Sequence, residues 1–243
     1  MRYEIVKKWL FIVILAIISS LSVEAKKFNE KLLNRPYADL KAWHLGFSVG
    51  MHMQDLQFTN NGFQTETGET WFAEQPAFSP GFCVNGMIDF RLHTHFNVRI
   101  APGIWFGNKV VHLLDAKNGT QVRQNIKSTV LVLPVDLKFS ALRYGNLRPY
   151  LTVGVMPTFD VNKRITSEPL HLNKFDTYVT VGLGLDTYFP YFKFIPEVKF
   201  CFGLTDALKH KRPDLEDAPG TMKYTQSIDR IASQMMVLTF YFE

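Results

Sequence analysis

Eight charged residues recur on the polar face of predicted β-strands, and their signs balance. Four are acidic and four are basic: Asp89, Asp136, Asp186, Glu197, Arg91, Arg99, Lys138 and Lys199. All lie closer to the short connections of the chain than to the long ones. Charges removed from water persist only when they are paired and hydrogen-bonded. We therefore predict a structural network of salt bridges inside the fold, and a proton or substrate relay is the alternative.

Three histidines in the long connections could act as catalytic bases. Each has an aspartate nearby in sequence: His112 and Asp115, His171 and Asp176, His210 and Asp206. A surface hydrolase or acyltransferase would place such a base beside a nucleophile. No recognisable spacing accompanies these histidines, so a surface enzyme remains an alternative and no catalytic residue is predicted.

Neither the cysteines nor the remaining histidines form a recognisable site. Cys83 and Cys201 fall on the polar faces of non-adjacent strands, which favours two separate thiols over a disulfide. Two cysteines cannot make a disulfide scaffold and offer no metal-ligand spacing. His93 and His95 flank a turn at positions i and i+2, a weak pattern for a metal site. We predict no metal, no cofactor and no small-molecule substrate.

Composition excludes several classes of protein. The 243 residues are 47% hydrophobic and 20% charged, which is too apolar for a disordered chain. The net charge is +5 and the charges are scattered without a basic stripe, which argues against a nucleic-acid binder. No run of about eighteen apolar residues follows the N-terminus, which excludes a helical transporter.

Residues 1–25 have the pattern of a secretory signal peptide. Lys7 and Lys8 precede an uncharged apolar stretch at residues 9–18, and small residues around Ala25 suit a signal peptidase. A membrane anchor helix is the alternative, but the apolar stretch is short for a span. We predict cleavage near Ala25 and a mature chain beyond the inner membrane.

From residue 43 onward, apolar and polar residues alternate with a period of two in eight long segments. Most are about ten residues or longer, whereas strands of globular proteins average about five or six. Short connections near residues 93, 145 and 190 separate pairs of segments. The other connections are long: residues 54–77, 112–127, 162–174 and 206–230. This alternation of short and long connections is typical of an up-and-down meander in a membrane.

The amino-acid sizes indicate which face of the sheet lies inside. A soluble, lipocalin-like barrel that binds an apolar ligand would turn the large apolar residues inward. Eight strands enclose an interior just wide enough for their own side chains, and the small polar face fits it better. We therefore predict an all-β, eight-stranded antiparallel transmembrane β-barrel over residues 43–243, surrounded by outer-membrane lipid. Residues 26–42 would form a periplasmic segment.

Phenylalanines and prolines give two further expectations. Seven phenylalanines lie on the apolar face near the short connections: Phe90, Phe96, Phe139, Phe189, Phe194, Phe240 and Phe242. They predict an aromatic girdle at a membrane interface. Four prolines fall inside strands: Pro102, Pro134, Pro157 and Pro196. A closed barrel has no edge where a missing N–H is harmless, so we expect β-bulges there.

Several segments of the chain resemble one family of small barrels. They are WHLGF at 43–47, DFRL at 89–92, LPVDLKFSALR at 133–143 and RPYL at 148–151. The most specific is YFPYFKFIPE at 188–197, followed by FGLTD at 202–206. These segments are similar to the PorT family, outer-membrane β-barrels associated with the type IX secretion system. The resemblance covers roughly residues 36–208 and the final strand, and it implies a role in protein export without known catalysis or cofactor.

That resemblance implies other secretion-system proteins as partners. Because the interior of an eight-stranded barrel is filled by side chains, we expect the protein to act through its surface. One candidate surface is the periplasmic segment, with Leu32, Leu33 and Tyr37. The other is an aromatic patch in the long connections, with Phe63, Trp71 and Phe72.

Overall fold

The computed structural model describes residues 34–65, 68–74, 79–117, 119–162, 169–210 and 219–243. The described strands are β1 Trp43–Asn60, β2 Trp71–Glu74, β3 Ser79–Arg91, β4 Phe96–Ile100, β5 Gly103–Asp115, β6 Gln121–Val132, β7 Val135–Ser140, β8 Leu147–Asp160, β9 Phe175–Tyr188, β10 Lys193–Gly203 and β11 Ile228–Phe242. A 3₁₀ helix, Ala38–Leu40, precedes β1, and an α-helix, α1 Pro219–Gln226, precedes β11. Within the described ranges, no helix has the length and apolarity needed to cross a membrane.

The strands close into a ring of eight. β4 and β5 act as one interrupted strand, and so do β6 and β7, because each pair continues along the same neighbours. All pairings are antiparallel, and β11 pairs with β1 from Phe242 opposite Phe47 to Ile228 opposite Asn60, which closes the ring. β2 adds a short strand to β5 at the long-connection end. The predicted eight-stranded up-and-down barrel is confirmed.

The large apolar residues of the barrel point outward, as predicted. Leu45, Phe47 and Leu183 expose 56%, 56% and 57% of their surface. On the opposite face, Ser48 and Thr180 are fully buried. The interior is therefore the small and polar face of the sheet, which is the arrangement of a barrel in a membrane. It is the reverse of a soluble barrel with an apolar cavity.

The strand prolines do not create the β-bulges that we expected. β3 pairs Asn85 with Gly103 and Ile88 with Ile100, so its register is unchanged across Pro102. The register is also continuous at the three other strand prolines. Three proline carbonyls still accept a backbone hydrogen bond from the neighbouring strand: Pro102 O from the N–H of Gly86, Pro134 O from that of Ala101 and Pro157 O from that of Leu133. Proline lacks only the donor, so the ladder loses a bond without shifting.

Several strands extend further at the long-connection end than the sequence predicted. β1 continues to Asn60, and β5 and β6 run on as a hairpin through residues expected to form a loop. A cluster of buried apolar residues from these extensions and the adjoining loops fills this end of the barrel: Leu56, Trp71, Ala73, Val111, Leu113, Ile126, Leu170, Leu172, Ala207, Leu208, Ile228 and Ile231. These residues point inward, so at this end the apolar face of the sheet becomes the inner one.

Phenylalanines surround the short-connection end on the outer face. Phe194 stacks on Phe240 with ring centroids 5.7 Å apart, and Phe96 lies 5.1 Å from Phe139. Phe90 exposes 41% of its surface. The outward placement of these rings is that of the interfacial girdle predicted from the sequence.

Candidate functional site: the lumen and its two ends

Arg99 lies at the centre of the charged half of the lumen. It is fully buried, and β4 directs its guanidinium between two acidic side chains. Nη2 lies 3.1 Å from Asp89 Oδ2 on β3, and Nη1 lies 2.9 Å from Glu197 Oε2 on β10. One cation thus joins strands from different parts of the ring.

Two tyrosines complete the surroundings of Arg99. Tyr150 OH donates to Glu197 Oε2 at 2.7 Å, and Tyr241 OH donates to Glu197 Oε1 at 3.3 Å. The guanidinium carbon lies 5.3 Å and 4.7 Å from the centroids of the Tyr150 and Tyr241 rings. These contacts add cation–π attraction to the ion pairs and supply donors to the Glu197 carboxylate.

Two lysines extend the network around the ring. Lys138 Nζ lies 2.8 Å from Asp186 Oδ2 and 4.0 Å from Asp89 Oδ2. Lys199 Nζ lies 2.5 Å from Asp136 Oδ2 and 3.2 Å from Glu197 Oε1. The structure therefore brings seven of the eight predicted charges into one buried network.

Arg91 is not part of this network, contrary to the prediction. It is the last residue of β3, at the rim of the barrel, where its side chain donates to Leu40 O at 3.1 Å. Lys193 and Glu243 were missed. Lys193 Nζ lies 3.3 Å from Asp186 and 3.2 Å from Glu243, and His44 Nδ1 lies 2.8 Å from the other Glu243 oxygen.

The other half of the lumen is packed with larger apolar and aromatic side chains. Its buried cluster is Cys83, Trp105, Val132, Met156, Tyr178, Cys201, Met235 and Val237. Both cysteines are free thiols in the structure. The cavity beyond this layer measures about 40 Å³, and its lining includes His52, Trp105 and Asp160. A single water needs about 10–15 Å³, so this space holds a few waters at most.

Residues 34–42, which we call the mouth segment, lie across the short-connection end of the lumen. Asp39 is its anchor: Arg148 Nη1 donates to Asp39 Oδ1 at 3.2 Å, Tyr188 OH also donates to that oxygen, and Arg143 Nη1 lies 3.6 Å from Oδ2. Asn34 Nδ2 donates to Tyr188 O at 2.9 Å. The mouth segment therefore covers the charged network from this side.

The mouth segment also carries one of the predicted partner contacts. Tyr37 exposes 75% of its surface and Leu40 exposes 62%. Tyr37 precedes the 3₁₀ helix and Leu40 is its last residue. The helix therefore contacts the barrel through Asp39 and has exposed apolar side chains at both ends. Leu32 and Leu33 lie outside the described residues.

At the opposite end, the residues of the predicted aromatic patch differ in their exposure to solvent. Phe63 and Phe72 expose 39% and 40% of their surface, but Trp71 is 3% exposed, so its prediction as a surface contact is wrong. Trp71 packs edge-on against Tyr224 with centroids 4.8 Å apart, and its Nε1 donates to Glu69. The indole points inward from β2 and forms part of the buried apolar cluster at the long-connection end.

Glu69 links this cluster to α1. Lys223 Nζ of α1 lies 2.6 Å from Glu69 Oε2 and 4.8 Å from the Trp71 ring centroid. Hydrogen bonds from Lys223 and Trp71 lower the pKa of the Glu69 carboxyl below its ordinary value. A cation between a carboxylate and an indole fixes the start of β2 against the helix.

The three histidines considered as bases occupy different environments. His171 is buried and His112 is part-exposed on β5. His210 Nε2 lies 2.8 Å from Asp206 Oδ2. Asp206 also accepts from the backbone N–H groups of Leu208 and Ile231, so it organises a loop. Burial alone would raise the pKa of Asp206, but these hydrogen bonds together hold it below its ordinary value.

The remaining candidates for metal binding are the two histidines at the first short connection. The rings of His93 and His95 lie 6.5 Å apart, and His95 Nδ1 lies 2.8 Å from Ser140 O. Across the part of the chain that the structure describes, no group of three or more His, Cys, Asp or Glu side chains is arranged to hold a metal ion.

The comparison with protein-family models agrees with this architecture. Residues 28–209 match the family model described as outer membrane protein beta-barrel domain. The N-terminal β-barrel domain of Pseudomonas aeruginosa OprF is similar at 14% identity with a TM-score of 0.36, over 80% of this chain and 97% of that one. Ail, the attachment invasion locus protein of Yersinia pestis, is similar at 9% identity with a TM-score of 0.39, over 83% and 99%. No curated protein matches the chain significantly.

Proposed function

The chain belongs to the outer membrane protein β-barrel domain family, and from this premise we propose that it is a non-enzymatic component of protein export through the type IX secretion system. The resemblance of residues 36–208 to the PorT family supports this role. Cargo and partner proteins would be other members of that export pathway.

The filled lumen is the structural observation that supports a role in export through surface contacts. Arg99, Lys138 and Lys199 bridge acidic residues across the interior, and the mouth segment covers the network through Asp39. A folded protein is tens of ångströms wide, whereas an eight-stranded barrel encloses only its own side chains. A protein built in this way would support export through contacts and would not itself conduct cargo.

Two surfaces are available for such contacts. The mouth segment exposes Tyr37 and Leu40, and the opposite end exposes Phe63 and Phe72. We favour the mouth segment, because export machinery assembles from the periplasm and the predicted topology places this segment there. Its anchoring by Asp39 ties the backbone of this turn to the barrel, and a segment that is already ordered costs less entropy on binding.

Export assays with matched surface variants test this proposal. Cells lacking the protein would be complemented with the wild type, with Tyr37→Ser/Leu40→Ser or with Phe63→Ser/Phe72→Ser. Secreted cargo in the medium is compared with the amount of folded barrel, measured by heat-modifiable migration. We expect the Tyr37/Leu40 variant to fold and to export little. Normal export in cells that lack the protein would contradict the proposed function itself.

A further inference from the structure

Two depressions adjoin on the outer surface where β1 leaves the short-connection end. One has a volume of about 460 Å³ and is lined by the polar groups of Arg35, Lys41 and His44 together with Trp43. The other has a volume of about 480 Å³ and is almost wholly apolar, with Phe47, Phe192 and Phe242 in its lining. Leu45 and Glu243 line both, so a polar and an apolar depression form one continuous surface.

The polar depression carries an excess of positive charge. Arg35 is tied to the barrel by a 3.2 Å hydrogen bond from Nη1 to Glu243 O, and Lys41 is exposed. The acidic side chain in the lining, that of Glu243, is engaged by His44 Nδ1 at 2.8 Å and by Lys193 Nζ at 3.2 Å. Its negative charge is therefore compensated from within the barrel. Arg35 has further N–H donors besides the one bonded to Glu243, and together with Lys41 it can attract an anion at this position.

The apolar depression is built for a hydrocarbon chain. Leu45 and Phe47 each expose 56% of their surface, and Phe192 exposes 41%. Phe47 and Phe242 stack with centroids 5.3 Å apart and form a flat wall. Phe242 belongs to the phenylalanine girdle, and Phe47 and Phe192 lie beside it. Such a girdle marks the depth where lipid head groups meet acyl chains. The cations thus lie on the head-group side of the girdle and the apolar wall on the acyl side.

We propose that these two depressions bind one phospholipid of the inner leaflet, with its phosphate between Arg35 and Lys41 and an acyl chain along Leu45, Phe47 and Phe192. From the mouth segment into β1, charged groups are followed by an apolar surface, which is the order of groups in a phospholipid. Because Arg35 belongs to the mouth segment and its carbonyl accepts from Arg143, the bound lipid holds that segment against the barrel. This site is independent of the proposed role in export.

Native mass spectrometry of the detergent-solubilised protein tests the proposal with defined probes. We expect added phosphatidylglycerol to be retained, and diacylglycerol or inorganic phosphate alone to be lost. Arg35→Ala/Lys41→Ala should weaken retention about thirtyfold, since each of the two cations near an anionic lipid contributes about 1 kcal/mol. The matched control is Arg123→Ala/Lys127→Ala, which removes two exposed cations from β6 and should leave retention unchanged.

Several results would overturn the site. Equal retention by the wild type and the Arg35/Lys41 variant would show that the cations are not used. An equal loss in the β6 control would indicate a general charge effect, and binding of inorganic phosphate alone would indicate an anion site without a lipid. Lipid-free dimers would assign the surface to a second copy. Lys41→Ala alone alters only an exposed side chain, so it provides the same comparison if the double variant does not fold.

Discussion

Arg99 shows how a charge is accommodated in the interior of this barrel. Its guanidinium contacts two carboxylates, and the faces of two tyrosines enclose it. A buried ion pair contributes little net stability, because desolvation offsets most of the attraction, but removal of one partner leaves the other charge uncompensated. The consequence is an asymmetry between buried and rim charges that can be measured.

The matched pair Arg99→Met and Arg91→Met tests this asymmetry. Loss of Arg99 leaves Asp89 and Glu197 without their shared cation, which should lower the free energy of unfolding by about 3–5 kcal/mol. Loss of Arg91, which donates to Leu40 O at the rim, should cost about 1 kcal/mol or less. Denaturant midpoints of the barrel refolded in lipid vesicles provide the comparison. Equal midpoints would argue against an enclosed network.

Most of this network could be predicted from the parity of residues along each strand. Asp89, Arg99 and Glu197 share the inward parity of their strands, and the same parity holds for Lys193 and Glu243, which we did not include in the predicted network. Arg91 has the inward parity too, but parity does not indicate where a strand reaches the rim. Which carboxylate each cation contacts depends on strand order and shear, which the sequence does not state.

At the level of elements, three prolines lie close together on adjacent strands. The register places Gly86, Pro102, Leu133 and Pro157 opposite one another across the sheet. At Pro102, Pro134 and Pro157 the reciprocal ladder bond cannot form, since proline has no N–H. The sequence shows that the prolines lie within strands, but our expectation of β-bulges was wrong. A proline removes one N–H donor from the ladder, and this loss does not require the extra residue that makes a bulge.

Replacement of these prolines by alanine should strengthen the sheet. Pro102→Ala restores a donor opposite Gly86 O, and one added ladder bond should contribute about 1 kcal/mol. Greater freedom of the unfolded chain offsets part of that gain. Pro190→Ala, in a turn outside the ladder, is the control and should not be stabilised. Thermal loss of heat-modifiable migration measures both, and a lower transition temperature for Pro102→Ala would contradict the prediction.

Asp206 anchors the loop between β10 and β11 in a pH-dependent way. Its pKa in the folded protein lies below the ordinary value of 3.8. A depressed carboxyl pKa contributes stability that is complete above the unfolded pKa and is lost as the pH falls through the folded pKa. We therefore expect exchange of the Leu208 and Ile231 amides to lose protection only below about pH 4.

A variant separates this anchor from general acid effects. Asp206→Ala should remove the acceptor at every pH, so proteolysis between residues 204 and 210 should accelerate already at neutral pH. Asp229→Ala, at an exposed position of β11, should behave as the wild type. Identical cleavage rates for the two variants at neutral pH would show that Asp206 does not hold the loop.

The strand ends were mispredicted because the hydrophobic pattern inverts along a continuous strand. On β1 the outward residues change from Met51 and Met53 to Asp55 and Gln57, while the inward ones change from His52 to Leu56. The backbone alternation continues, but lipid no longer surrounds the outer face, so polar residues turn outward and apolar residues turn inward. When only the outward apolar face is traced along the sequence, such an inversion looks like the end of the strand. The residues beyond it were therefore predicted to form loops, and Trp71 was assigned to the surface.

For the whole molecule, the even number of strands means that the chain enters and leaves the barrel on the same side of the membrane. With the mouth segment in the periplasm, the turns near residues 93, 145 and 190 lie there and the long connections lie outside. A protease added to intact cells should therefore cut within residues 54–77 or 206–230 and spare the turn at Gly145. Cleavage at that turn alone would reverse the topology.

The central claim is that this barrel has no through passage. The charged network, the apolar layer around Trp105 and the mouth segment each obstruct the lumen. Planar bilayers containing the purified protein test this most directly, with the current recorded for the wild type and for Asp39→Ala, which releases the anchor of the mouth segment. We predict no large, stable conductance for either, because the buried network remains when the mouth segment is released. A large and stable conductance from the wild type would contradict the account.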